Sequence, residues 1–238
     1  MSEAGDYVVA AAKRRRYPVG LPRQILTENW KFLDLEFASA MAGQYVLTNY
    51  DPTGDCLNPV PQGDGASART GRSYVITRVQ VRGFLITVFD DVTGGAVTTQ
   101  PSERQFRVML VLDRHANGAQ LTPTLVLPTT STTYEFNALQ VPSYMSRVSI
   151  LGDKRCFAAC TAAALLDQAT LRVMIAARYQ EFEFDVVFEP PLRVTHNGAT
   201  GSVSTIVDNA LHFLAIADES TDRLEYYSRV TFLDDASL

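Results

Sequence analysis

The chain has 238 residues, 46% hydrophobic and 20% charged, the balance of a globular protein long enough for one large β-domain or two small ones, of which one is favoured. No stretch approaches the roughly 18 uninterrupted apolar residues needed to cross a bilayer, and His115, His196 and His212, with no H-x-H or H-E-x-x-H grouping, argue against a metalloenzyme. The net charge of -5 is unevenly spread: residues 1–25 hold five basic side chains against two acidic ones, net +3, which leaves -8 for the body.

In chain order, the first element is that basic tail. In MSEAGDYVVAAAKRRRYP the charge follows the apolar part, the reverse of a secretory signal. Lys13, Arg14, Arg15, Arg16 and Arg23 give residues 1–27 the character of a flexible arm that exchanges counterions for phosphates, whereas the acidic body repels them. The run Lys13, Arg14, Arg15, Arg16 also reads as a nuclear-import signal, or as a solvated charge run that serves neither purpose.

Residues 28–238 read as one β-domain. Phe32 to Phe37 is the first strand candidate, and turn chemistry follows at Asp51-Pro-Thr-Gly54 and Gln62-Gly-Asp-Gly65. Over 74–86, Val75, Thr77, Val79 and Val81 alternate with Arg78, Gln80 and Arg82, which predicts one buried and one wet face. After a turn at Val92-Thr-Gly-Gly95 come strand candidates at Gln105 to Leu112 and Arg147 to Phe157. Ala158 to Gln168 is Ala- and Leu-rich enough to predict a helix, though a poorly capped one with Asp167 near its end. Leu171 to Tyr179 and Glu181 to Glu189 follow as strands; in the second, Phe182, Phe184, Val186 and Phe188 face one way and Glu181, Glu183 and Asp185 the other. Asn197-Gly198 marks a turn, and Leu211 to Ile216 and Leu224 to Leu233 complete about eight or nine strands. The turn glycines and asparagines are expected to supply positive backbone angles. Long strands and little helix predict an all-β sandwich or barrel.

No catalytic, metal or cofactor site emerges. There is no G-x-S-x-G elbow or papain-like cysteine context, and the odd set Cys56, Cys156 and Cys160 reads as reduced packing residues of an intracellular product. Arg69 and Arg72 are expected to pin their Gly-rich turn to neighbouring carboxylates or carbonyls rather than to touch phosphate. Asp90-Asp91 and Asp234-Asp235 read as solvated loop ends before calcium ligands. Tyr17, Trp30, Tyr50 and the phenylalanines have the rings to stack on bases, yet packing absorbs aromatics in such numbers. His196 and His212 read as core or turn residues rather than pH sensors.

Six segments in order carry a family likeness: Glu28-Asn-Trp-Lys-Phe-Leu-Asp34, where the body begins; Leu57-Asn-Pro-Val-Pro-Gln-Gly63 with Arg69-Thr-Gly-Arg72 and Val79-Gln-Val-Arg-Gly83; Val111-Leu-Asp-Arg114 with Asn117-Gly118; Arg147-Val-Ser-Ile-Leu-Gly-Asp-Lys154; His196-Asn-Gly198 with Asp208-Asn-Ala-Leu-His-Phe-Leu-Ala215; and Ser228-Arg-Val-Thr-Phe-Leu-Asp234. In this order they resemble the capsid proteins of circular single-stranded DNA viruses that encode a replication-initiator protein, a group whose coat proteins are similar to that of satellite tobacco necrosis virus. The resemblance implies a single eight-stranded antiparallel jelly roll of two four-stranded sheets. Sixty copies would associate with one another in a small icosahedral shell around single-stranded circular DNA, with no enzymatic activity and no membrane partner. It places the protein in the virion and, during assembly, in the host nucleus, with a host import receptor as an implied partner of residues 13–16. A satellite-type RNA virus coat and a non-viral trimeric jelly-roll binding module stay open as alternatives. Two departures stand out. The arm is short for the family: at +3 per copy, sixty arms neutralise roughly two hundred phosphates, short of a typical small genome, so either interior faces such as the strand bearing Arg78 and Arg82 help or packaging is weak. The stretch 158–180 looks like an insertion.

Overall fold

The computed structural model describes residues 30–40, 56–87, 103–122, 125–128, 139–159, 178–217 and 223–235. Through them run β1 (Lys31–Ala40), β2 (Ser73–Thr87), β3 (Glu103–Asp113), β4 (Val148–Ala159), β5 (Arg178–His196), β6 (Ile206–Asp208), β7 (Ala210–Ala217) and β8 (Arg223–Asp234). They form two antiparallel sheets, one in the order β1-β8-β2-β5-β6 and one in the order β4-β3-β7. Among the described residues the division is therefore five and three strands, not the expected four and four.

The five-stranded sheet follows from period-two alternation. In β5, Phe182 and Phe184 are buried while Glu181, Glu183 and Asp185 are exposed, and in β8 Leu224, Tyr226, Ser228, Val230 and Phe232 turn inward. Thr77 interrupts β2 as a bulge: the register against β8 shifts by one residue there, and the Thr77 hydroxyl donates to the Thr231 carbonyl at 3.1 Å. Rings bridge the two sheets. Phe213 of β7 stacks on Phe182 at 5.4 Å and lies 4.8 Å from Tyr226, which stacks on Phe37 at 5.1 Å. Each such buried side chain contributes roughly 1.5–3 kcal/mol by leaving water. Gly83 leaves room for this arrangement, because a Cβ there would sit 2.2 Å from the Glu225 carbonyl oxygen and 2.6 Å from the Phe182 ring.

The three-stranded sheet is covered on both faces. Phe106, Val108, Leu110 and Leu112 of β3 join the core between the sheets, whereas Met109 and Val111 join Leu214, Ile216 and Val148 in a second cluster beneath Leu121, Val126 and Leu127. The wet face expected of residues 74–86 belongs to the larger sheet; on the smaller one, segments carrying Leu121, Val126 and Leu127 lie over the second face.

Other expectations need correction. Ala158 and Ala159 continue β4 as strand, so the expected helix does not begin there, and 160–168 lies outside the described residues. Tyr179 belongs to the same unbroken strand as Glu181 to Glu189, and 171–177 lies outside. Positive φ occurs at Asn117 (49°), Gly118 (73°) and Asn209 (59°), not at Gly63, Gly65, Asn197 or Gly198. In those turns Gly63 N–H donates to the Arg69 carbonyl at 2.9 Å and Asn197 N–H to the Thr205 carbonyl at 2.8 Å.

Candidate interaction surface

Several of the segments singled out in the sequence act as fastenings. Lys31 pairs with Asp234 at 2.8 Å and donates to the Ala68 carbonyl at 2.7 Å. The buried Asn58 amide donates to the Tyr74 hydroxyl (3.1 Å) and the Asn209 carbonyl (3.2 Å), and its oxygen accepts from the Leu211 N–H at 2.8 Å. Leu57 N–H donates to the Leu211 carbonyl at 2.7 Å, so this segment lies along the edge of β7. Arg69 is fully buried and donates to the carbonyls of Val60 (3.1 Å), Gly71 and Gly198 (2.5 Å), which is the pinning role expected of it. The Arg72 side chain is exposed, and its carbonyl accepts from His196 N–H at 2.8 Å. Arg147 grips the buried Asp113 through two hydrogen bonds of 2.8 and 2.7 Å, Arg107 grips Asp153 at 2.9 and 2.7 Å, and Lys154 donates to the Glu181 carbonyl at 2.8 Å.

Asp234 and Asp235 are not solvated loop ends. Asp234 accepts from the Thr70 N–H (2.9 Å) and hydroxyl (2.6 Å), and Asp235 accepts from Ser73 (2.5 Å) and Arg193 (2.6 Å), so together they tie the end of β8 to the start of β2. Cys56 and Cys156 are buried free thiols, and burial raises the pKa of Cys156. His196 is buried with Nδ1 3.0 Å from the Thr205 hydroxyl; burial first, and the Arg69 charge second, lower its pKa to about 4. It is a neutral core residue at neutral pH.

Four strands of the larger sheet present an ordered outer face. The register sets Phe32, Thr231, Arg78 and Val187 in one row; Asp34, Arg229, Gln80 and Asp185 in the next; then Glu36, Tyr227, Arg82 and Glu183; then Ala38, Glu225, Phe84 and Glu181. Arg78 holds Asp185 at 2.7 and 2.5 Å, Arg82 holds Glu183 at 2.8 and 2.7 Å, Arg229 holds Asp34 at 2.7 and 2.7 Å, and the Tyr227 hydroxyl donates to Glu36 at 2.8 Å. The hydrogen bonds from Arg229 and Arg78 hold the Asp34 and Asp185 carboxyls below their ordinary pKa. Three arginines face six carboxylates across these rows, net -3. The expectation that the Arg78 and Arg82 strand adds positive charge for phosphate is thus not met: every guanidinium is matched, and carboxylates are in excess. Alternation along each strand assigns residues to a face, but only the antiparallel register shows which charges meet, so sequence reading missed these pairs.

Lys13, Arg14, Arg15, Arg16 and Arg23 lie outside the described residues, as do Tyr17, Tyr50, Asp90, Asp91 and Cys160. Among the described residues no cluster of His, Cys, Asp or Glu is arranged to hold a metal ion, and no helix is long and apolar enough to cross a membrane. No family model matches the chain, and no curated protein matches it.

Proposed function

We propose that the chain is a viral coat-protein subunit, a single jelly roll that self-assembles in sixty copies into a small icosahedral shell around single-stranded, circular DNA. The observation that carries this reading is the strand order. An eight-stranded ribbon folded back on itself pairs first with eighth, second with seventh, third with sixth and fourth with fifth. Wrapped into a sandwich, it gives one sheet ordered first-eighth-third-sixth and another ordered second-seventh-fourth-fifth. Counting β2 to β5 as the third to sixth strands, β1-β8-β2-β5 follows the first order and β7-β3-β4 the second, with β6 as an extension at the edge.

Leu57 and Asn58, both bonded to Leu211, bring the chain towards β2 along the free edge of β7, the side on which the ribbon places its second strand. In this scheme the basic arm meets the genome, the carboxylate-rich sheet face adds no net attraction, and the protein resides in the virion and passes through the host nucleus.

Expression of the chain alone, light scattering after gel filtration, and negative-stain imaging test the proposal. Uniform closed particles are expected, with an absorbance ratio reporting any enclosed nucleic acid. A stable monomer or trimer at every salt and pH would instead favour the non-viral binding module.

A further inference from the structure

The outer sheet face is not uniform. At the end where β1 begins, a groove of about 410 Å³ is lined by residues that include Trp30, Phe32, Arg78, Gln80, Arg229 and Thr231, with no carboxylate among its lining. The neighbouring groove, about 430 Å³, takes in Asp34 and Glu36 instead. Both volumes suit a small ligand or one unit of a polymer.

The aromatic–guanidinium groove breaks the packing rule followed by the buried rings: Trp30 is 39% exposed and Phe32 45%. The Arg229 guanidinium carbon lies 5.6 Å from the Phe32 ring centre. Arg78 and Arg229 each engage an aspartate through Nε and Nη2, while Nη1 of each has no hydrogen-bond partner among the described residues. The aspartates therefore steady two guanidinium planes and leave donors on each unused.

We propose that this groove binds a nucleotide unit of single-stranded nucleic acid. A base stacks on Phe32 beside Trp30, phosphate oxygens accept from Nη1 of Arg78 and Arg229, and Gln80 and Thr231 offer polar groups to the base edge. Stacking tolerates any sequence because every base has a π-face. Because each guanidinium is paired with an aspartate, the groove supplies donors and rings rather than net charge, and its contribution resists salt, unlike that of the arm. In sequence, the basic cluster ends 14 residues before Trp30.

This inference rests on the coat-protein reading for its choice of partner. The full chain is titrated by fluorescence anisotropy with a labelled oligothymidylate 12-mer and with an abasic 12-mer of the same phosphate count, at low and moderate salt. The thymidylate is expected to bind about five-fold tighter or more, a preference that persists as salt rises. Phe32→Ala with Trp30→Ala removes the preference, whereas Ala at positions 13–16 weakens both probes and preserves it. Should the double variant fail to fold, Phe32→Leu with Trp30→Leu keeps apolar bulk without a ring. Equal binding of the two probes, or a preference that survives loss of both rings, overturns the proposal. Light scattering on the same samples separates the two ideas: shells without the preference overturn the groove alone, and the preference without shells keeps the groove and removes the shell.

Discussion

His196 shows how the interior selects against charge. Its ring is acted on by the charge of Arg69, whose buried guanidinium donates to carbonyls, and lies 5.7 Å from the Tyr74 ring. Its Nε2 finds no hydrogen-bond partner among the described residues. With a folded pKa near 4 against an ordinary 6.5, the unfolded chain takes up a proton across that interval that the folded chain refuses. Stability therefore falls as pH drops from about 6.5 to about 4 and the histidine effect is flat on either side. Asp34 and Asp185 act differently: their pKa values are lowered by arginine partners, so their contribution is lost only when pH falls below the ordinary carboxylate range. In His196→Asn, the drop in urea midpoint between pH 7 and pH 4.5 is expected to be smaller than in the unmodified chain. An identical drop in both would remove His196 as its cause.

At the scale of elements, β2 is the central strand of the larger sheet, paired with β5 on one side and β8 on the other. Gly83 sits where β8 and a core ring approach it most closely, and the Cβ of Gly83→Ala would lie 2.2 Å from the Glu225 carbonyl oxygen. Alanine in a strand usually gains by restricting the unfolded chain; here overpacking against backbone is expected to cost about 1–3 kcal/mol, read as a lower denaturant midpoint. Most strands were legible in the sequence because alternation at period two needs no partner to be seen. What alternation leaves open is everything set by neighbours: the second covered face of β3, the continuation of β4 through Ala158 and Ala159, and the matching of Arg78 and Arg82 with carboxylates of β5. The exposed groove had a partial signal. Phe32 and Phe37 are five residues apart, so in one strand they face opposite ways and one of them must meet water.

For the whole molecule, charge is divided between an arm of +3 and a body of -8. Replacing Lys13, Arg14, Arg15 and Arg16 by alanine takes the arm from +3 to -1, since Arg23 then stands alone against Glu3 and Asp6. On the coat-protein reading proposed above, packaged nucleic acid is expected to fall several-fold by absorbance ratio while shells still form. The slope of log affinity against log salt for single strands flattens by about 3. Loss of the particles themselves would mean that the arm builds the wall as well as filling it.

The ion pair between Lys31 and Asp234, 2.8 Å long, fastens the first strand of the sandwich to the last. The described chain therefore enters and leaves at one pole, where Ser73 and His196 also lie, while Ala40, Thr87, Arg178 and Arg223 mark the opposite pole. For an engineer the sandwich is close to a closed ring. In a chain trimmed to its sandwich, a short linker could join Lys31 to Asp234 and a new opening be cut at the far pole. A graft placed after Asp235 leaves from the pole where β1 begins, and anything meant for the opposite side belongs at the pole of Ala40 and Arg223.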